Sequence, residues 1–156
     1  MKRSLYGFLL NLKEKLCHAK TQRRKVKYYF LMNENEIAKE IVDAAYKIHT
    51  TLGPGLLESV YETVLAYELK KRSLSVVRQQ PIPVVYEKVR LEEGFRADII
   101  VENKVIIEIK SVEAVASVHK KQLLTYLRLT NKRLGLLINF GSALIKDGIT
   151  RIANGL

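Results

Sequence analysis

The segment Val105–Lys110, VIIEIK, constrains the fold most strongly, because its β-branched apolar residues predict a strand through a protein core. Side chains two residues apart on a strand share a face, so Ile106, Glu108 and Lys110 point to one side. A buried carboxylate is costly unless it is paired or holds a metal. Two interpretations follow: an amphipathic strand with a surface ion pair, or a strand that carries a charged site.

The strand before this one contains a second acid. Residues 95–101 are largely apolar with Asp98 among them, and residues 102–104 form a turn that returns the chain antiparallel. The hairpin therefore places Asp98 and Glu108 on neighbouring strands. Mg²⁺ prefers such oxygen-rich sites, and a lysine beside them can orient a water or stabilise charge on a phosphoryl group. The spacing is the D-x(n)-E-x-K pattern, although short acidic patterns also arise by chance.

The rest of the chain predicts helices and a mixed sheet. Apolar residues at helical spacing predict helices over residues 34–52, 56–72 and 117–129. Extended segments are predicted at residues 76–77, 82–86, 95–101, 105–110, 134–140 and 149–152, with a turn at residues 91–94. Pro81 and Pro83 suggest a sheet edge or a strand start. We expect an α/β fold with an antiparallel meander, a strand that follows a crossover helix, and flanking helices.

The net charge of +11 is unevenly distributed along the chain. Residues 1–31 hold nine Lys or Arg and one acid, so this segment carries +8 and the remainder only +3. We expect residues 1–31 to be a basic extension: a solvated tail, a non-specific phosphate-binding segment, or an upstream extension of the reading frame before a natural start at Met32. Residues 32–156 are expected to form the folded domain.

Other classes of protein are disfavoured by composition. The single cysteine, Cys17, rules out a disulfide framework within the chain, and no apolar run reaches the length of a membrane span. We expect a cytoplasmic protein without a membrane partner. The sequence predicts no particular oligomeric state.

Beyond the acidic pattern, the chain resembles the GxxExxY family of the PD-(D/E)XK nuclease superfamily over residues 33–156. The naming motif is Gly55–Tyr61, GLLESVY, within a longer match over residues 49–62. The Asp98 strand, the Glu108 and Lys110 strand and residues 122–126 match as well. Ala97 stands where the superfamily often has a proline. The resemblance implies a restriction-endonuclease-like core and a Mg²⁺-dependent nuclease that acts on nucleic acid, with DNA preferred over RNA.

The resemblance also assigns roles to residues. Asp98 and Glu108 would bind Mg²⁺, with Mn²⁺ as a substitute, and Glu58 would be a third ligand or a water-mediated one. Lys110 would position or activate the attacking water. Supporting or nucleic-acid-binding roles are expected for a further set: Gln122, Tyr126, His119, Lys121, Tyr61 and Arg96. Each has a plainer interpretation, since Gln122 and Tyr126 also suit a polar helix rim, and Tyr61 suits the core.

Two other functions remain open at this stage. A binding module for nucleic acid or protein can keep the fold and the acids without turnover, because fold does not establish function. A metal-dependent enzyme can also act on another phosphate-bearing substrate. Aromatic residues make up 8% of the chain and tryptophan is absent, so no extended stacking platform for single strands is evident.

Overall fold

A computed structural model of the chain describes residues 32–155, and the predicted basic extension lies outside them. From Asn33 onward the chain clusters as one compact unit. Its elements, in chain order, are α1 (Glu34–Leu52), α2 (Glu58–Lys71), β1 (Val76–Tyr86), β2 (Val89–Val101), β3 (Val105–Lys110), α3 (Ser117–Leu129), β4 (Leu134–Asn139), α4 (Ile145–Gly148) and β5 (Ile149–Ala153). No helix among these is long and apolar enough to cross a membrane.

The first helix begins and ends where its sequence predicts. Asn33 accepts hydrogen bonds from the backbone N–H groups of Asn35 and Glu36, and the Glu36 side chain accepts from the Asn33 N–H, which completes a capping box. Gly53 ends the helix with φ +70°, and its N–H donates to the His49 carbonyl at 2.8 Å. A residue with a Cβ rarely adopts this φ, so glycine provides the stop.

The five strands form one mixed sheet in the order β1-β2-β3-β4-β5. The β2–β3 hairpin pairs Ile99 with Ile107, as the meander predicts. β3 and β4 are parallel and in register from Val105–Leu134 to Lys110–Asn139, because α3 provides the crossover between them. The other neighbours are antiparallel. The predicted α/β class, with a meander and a strand after a crossover helix, is confirmed.

One predicted turn is wrong. Residues 91–94 continue β2, and the hairpin turns at Glu87 and Lys88 instead, with Tyr86 paired to Val89. Gly94 is a strand residue whose missing Cβ leaves room for the Val84 side chain across the pair. A glycine in a strand often marks such a close approach rather than a turn. The predicted edge position of the prolines is correct, because β1 is an edge strand.

β3 is buried on both faces. Ile106 packs with residues of α3 and with neighbouring strands in a cluster that includes Leu123, Leu127 and Leu137. Ile107 and Ile109 alternate to the opposite face and are also buried, and α1 and α2 both contact β3. β3 is therefore a central strand, and by alternation its Glu108 side chain lies on the α3 side of the sheet.

Candidate functional site

Glu108 and Lys110 form a buried ion pair near the end of β3. Lys110 Nζ donates to Glu108 Oε1 at 3.0 Å, and the two side chains are 14% and 7% exposed. The other carboxylate oxygen, Glu108 Oε2, is buried and has no hydrogen-bond partner among the described residues. A buried oxygen without a donor is costly, so this atom favours a ligand that binds carboxylate oxygens.

Asp98 is tied to the same strand. Its Oδ2 accepts the Ile109 backbone N–H at 2.8 Å, just beyond the point where the regular β2–β3 pairing ends at Ile99 and Ile107. Its Oδ1 lies 3.5 Å from Gln79 Nε2. The main chain of β3 therefore holds Asp98 beside the residues that carry the ion pair.

The two acids are electrostatically strained. Burial raises the pKa of Asp98, with the charges of Glu62 and Glu58 adding to it, against the Ile109 hydrogen bond and Lys110. Burial and the Asp98 charge raise the pKa of Glu108, which Lys110 opposes. The pKa of each carboxyl is therefore raised even with Lys110 beside it, and a further cation would stabilise the charged form of both acids.

Lys110 remains a cation. Burial lowers its pKa, but the hydrogen bond and charge of Glu108, together with Glu58 and Asp98, outweigh burial and leave the pKa raised. Its ammonium group therefore carries a positive charge at neutral pH beside the two acids.

Glu58 lies at the rim of this group. It is the exposed first residue of α2, and its Oε1 accepts the Ser111 N–H at 3.1 Å, one residue beyond β3. An open cleft of about 600 Å³ is lined by residues 55–59 and Ser111.

Among residues 32–155, no three acids, histidines or cysteines are grouped closely enough to hold a metal ion. Glu58 acts on Asp98 and Glu108 through its charge, and its role as a ligand stays a prediction.

The residues present suit a hard cation. The carboxylates of Asp98 and Glu108, the latter with one buried oxygen that has no partner among the described residues, are groups that Mg²⁺ accepts, since it commonly takes one or two protein carboxylates and keeps several waters. The family model of the PD-(D/E)XK nuclease superfamily matches residues 35–152, well over half of the chain. The chain belongs to the PD-(D/E)XK nuclease superfamily. No curated protein and no solved structure matches it significantly.

Membership accounts for the arrangement around β3. The mixed sheet with flanking helices is the restriction-endonuclease-like fold. Asp98, Glu108 and Lys110 fit the acid, acid and lysine of the superfamily name in type and order, and their assignment to those roles stays a prediction. This PD-(D/E)XK protein brings the three side chains together on two paired strands, near the end of β3.

On α3, Gln122 and Tyr126 are hydrogen-bonded neighbours. Gln122 Nε2 donates to the Tyr126 hydroxyl, and the Tyr126 ring stacks on Phe95 with centroids 3.6 Å apart. Burial raises the pKa of Tyr126, and the charge of Glu108 adds to it, against the Gln122 hydrogen bond. Tyr126 therefore lies within electrostatic range of Glu108 as part of the α3 core cluster. Phe95 was not identified from sequence as its stacking partner.

The remaining predicted residues are less central. His119 is partly buried on the first turn of α3, and Lys121 is exposed. Arg96 is exposed and pairs with Glu93 at 3.2 Å. Tyr61 is fully buried and stacks on Phe140, so it is a core residue in this structure rather than a wall of the acid pair.

Sequence reasoning missed a polar network beside Asp98. Glu62 is 7% exposed, and its carboxylate accepts Arg78 Nε and Gln79 Nε2, each at 2.7 Å. The sequence gives one partial signal, because Glu62 is one turn after Glu58 and next to buried Tyr61 on the same helix. Nothing in the sequence around Gln79 indicates its contact with the acids.

Proposed function

We propose that this protein is a Mg²⁺-dependent nuclease that hydrolyses phosphodiester bonds of nucleic acid, with DNA preferred. The observation that carries the proposal is Glu108, whose Oε2 is buried without a donor while its Oε1 is held by Lys110 beside Asp98. Superfamily membership supports a nucleic-acid substrate. The preference for DNA rests on the family resemblance of the sequence.

In this proposal Asp98 and Glu108 hold Mg²⁺, with Mn²⁺ as a substitute, and Glu58 assists through its charge or through a water. The bound ion supplies charge stabilisation for the phosphoryl oxygens and a more acidic water. Asp98 is positioned for this task by the Ile109 N–H, which fixes one oxygen and leaves lone pairs on both.

Lys110 orients the attacking water and stabilises negative charge on the phosphate. Its ammonium group can donate hydrogen bonds to a water and to a phosphate oxygen. Its ion pair with Glu108 restricts the ammonium to one position, which reduces the entropy lost when substrate binds. In this proposal Gln122 and Tyr126 support the site from α3, and the exposed residue Lys121 contacts a phosphate.

We also infer that the chain is a GxxExxY protein. Each residue that names the motif has a structural role here. Gly55 has φ +105°, which a residue with a Cβ rarely adopts, and Tyr61 donates its hydroxyl proton to the Gly53 carbonyl at 2.6 Å. Glu58 accepts the Ser111 N–H beyond β3. The motif thus joins the start of α2 to the end of the strand that carries Glu108 and Lys110.

The test combines metal binding with cleavage. Wild type, Asp98→Ala, Glu108→Ala and the double variant are titrated with Mg²⁺ and Mn²⁺ by calorimetry and incubated with single-stranded, duplex and branched DNA and with RNA. Glu113→Ala, an exposed acid outside the group, is the matched control. We expect wild type and control to bind metal and cleave DNA, and the double variant to do neither.

The alternative is a non-catalytic module that binds nucleic acid or protein and retains the fold. Wild type that binds no divalent metal would favour this alternative and refute the nuclease. Metal binding that persists in the double variant would place the ion elsewhere and refute the assignment of Asp98 and Glu108.

A further inference from the structure

Gln79 has a backbone conformation that is unusual for its place in the fold. Six non-glycine residues in the described part of the chain have positive φ, and five of them lie in turns. Gln79, with φ +50°, lies inside β1. A non-glycine residue in the left-handed region is strained, and such strain is frequent at functional sites. Something in the surroundings of Gln79 therefore holds it there.

The sheet register puts Gln79 opposite Asp98. Its neighbours Arg78 and Gln80 pair with Ile99 and Ala97, the two residues that flank Asp98 on β2. Gln79 itself is absent from the regular pairing, consistent with its left-handed backbone. The local distortion of β1 thus occurs at the one position that faces the predicted metal ligand.

The side chain of Gln79 connects two acids. Its Nε2 donates to Glu62 Oε2 at 2.7 Å and lies 3.5 Å from Asp98 Oδ1. Both neighbours are carboxylates that accept hydrogen bonds, so the amide nitrogen, not the amide oxygen, must face them. Glu62 is itself fixed by Arg78, whose Nε donates to its other oxygen at 2.7 Å. The buried Glu62 carboxylate, held by this ion pair with the exposed Arg78, therefore aims the amide of Gln79 at Asp98.

We propose that Gln79 is a positioning residue that orients the Asp98 carboxylate. This inference rests on the proposed function, in which Asp98 is a metal ligand. The Ile109 N–H on β3 fixes Oδ2 of Asp98, and Gln79 on β1 restrains Oδ1. The two donors therefore set the plane of the carboxylate from the strands on either side of β2. Groups that hydrogen-bond a ligating carboxylate typically change metal affinity 10- to 100-fold when they are removed.

Two variants separate this role from a structural one. Gln79→Met removes the amide but keeps the length of the side chain and the backbone strain. Gln79→Gly removes the amide and relieves the strain, because glycine adopts positive φ freely. Glu87→Gly is the matched control, since Glu87 has φ +52° in the exposed hairpin turn. All three are compared with wild type in the full-length protein.

The first measurement needs no metal. The backbone amide of Ile109 donates to Asp98, so its proton chemical shift in a ¹H–¹⁵N spectrum reports whether that carboxylate stays in place. We expect the Ile109 resonance to move upfield in both Gln79 variants and to stay unchanged in Glu87→Gly. The Ile107 amide, in the regular part of the pairing, serves as an internal reference.

The second measurement is Mg²⁺ affinity by calorimetry. We expect Kd to rise about 10- to 100-fold in Gln79→Met and in Gln79→Gly, while Gln79→Gly melts at or above the wild-type temperature. An unchanged Ile109 resonance in both variants would overturn the proposal, as would unchanged Mg²⁺ affinity in both. Wild type that binds no Mg²⁺ would refute the nuclease instead, and the Ile109 resonance would then decide alone whether Gln79 orients Asp98.

Discussion

Replacing Lys110 with methionine should lower the free energy of unfolding, because the buried Glu108 carboxylate loses its partner. In Lys110→Met, Glu108 remains buried and loses the donor to Oε1, while Oε2 already has no partner among the described residues. The two side chains are 14% and 7% exposed, so solvent screens their interaction little. Breaking a buried pair by removing one partner typically costs about 3–5 kcal/mol. We expect a loss of about 3 kcal/mol in the free energy of unfolding at pH 8, measured without metal.

The loss of unfolding free energy in Lys110→Met should increase as the pH rises. Burial raises the pKa of Glu108 above its unfolded value, and the variant lacks the lysine that opposes this rise. Between the unfolded and the folded pKa the native state binds more protons than the unfolded state, so stability falls as pH rises. The slope is at most about 1.4 kcal/mol per pH unit for one group. The cost of Lys110→Met should therefore be larger at pH 8 than at pH 5.

Urea unfolding followed by circular dichroism at pH 5, 6, 7 and 8 measures this cost. Lys120→Met, on the exposed face of α3, is the matched control and should change the unfolding free energy little at any pH. Replacing both partners, as Lys110→Met with Glu108→Leu, should recover most of the loss because neither charge of this ion pair remains. A cost that is equal at pH 5 and pH 8, or a double variant as unstable as Lys110→Met alone, would refute this reasoning.

The remaining predictions concern the other acid, a tight loop and the family motif. Asp98→Asn removes a carboxylate whose pKa burial raises, so the variant should increase the unfolding free energy more at pH 8 than at pH 5. Mg²⁺ should no longer raise the melting temperature of this variant. The reverse pH trend would contradict the burial argument. Gly141→Ala would push a Cβ into the Val112 backbone beside β3 and should cost about 1–3 kcal/mol by urea unfolding, with an unchanged value refuting the close approach. Tyr61→Phe loses the bonds to Gly53 and Leu56 and should cost about 1–2 kcal/mol by the same assay, and a neutral result would show that the hydroxyl is replaceable by water.

Elements with strong local signals were predictable. α1 has a capping box at its start, a glycine at its end and five buried apolar residues at helical spacing between them. β3 is β-branched and apolar almost throughout, and its pairing with β2 follows from a short turn. In both cases the physical cause lies within a few residues of the element, so the sequence suffices.

The β1–β2 hairpin was less predictable because its cause is not local. Gly94 suggests a turn when only its sequence neighbours are considered. Its function becomes visible only when β1 is in place, because the space beside it is filled by Val84 from the opposite strand. The same glycine serves a turn or a strand, and cross-strand packing decides which.

The sequence by itself determined the α/β class, the central strand and the candidate set Asp98, Glu108 and Lys110, because spacing along a strand and a hairpin determines which side chains become neighbours. Tertiary structure alone decided that Glu108 has an unpartnered oxygen and that Gln79 meets Glu62, 17 residues earlier in the chain. The burial and hydrogen bonding of a side chain depend on the residues that all neighbouring helices and strands place around it. No short stretch of sequence specifies these surroundings, and they set the charge balance on which the proposed metal site depends.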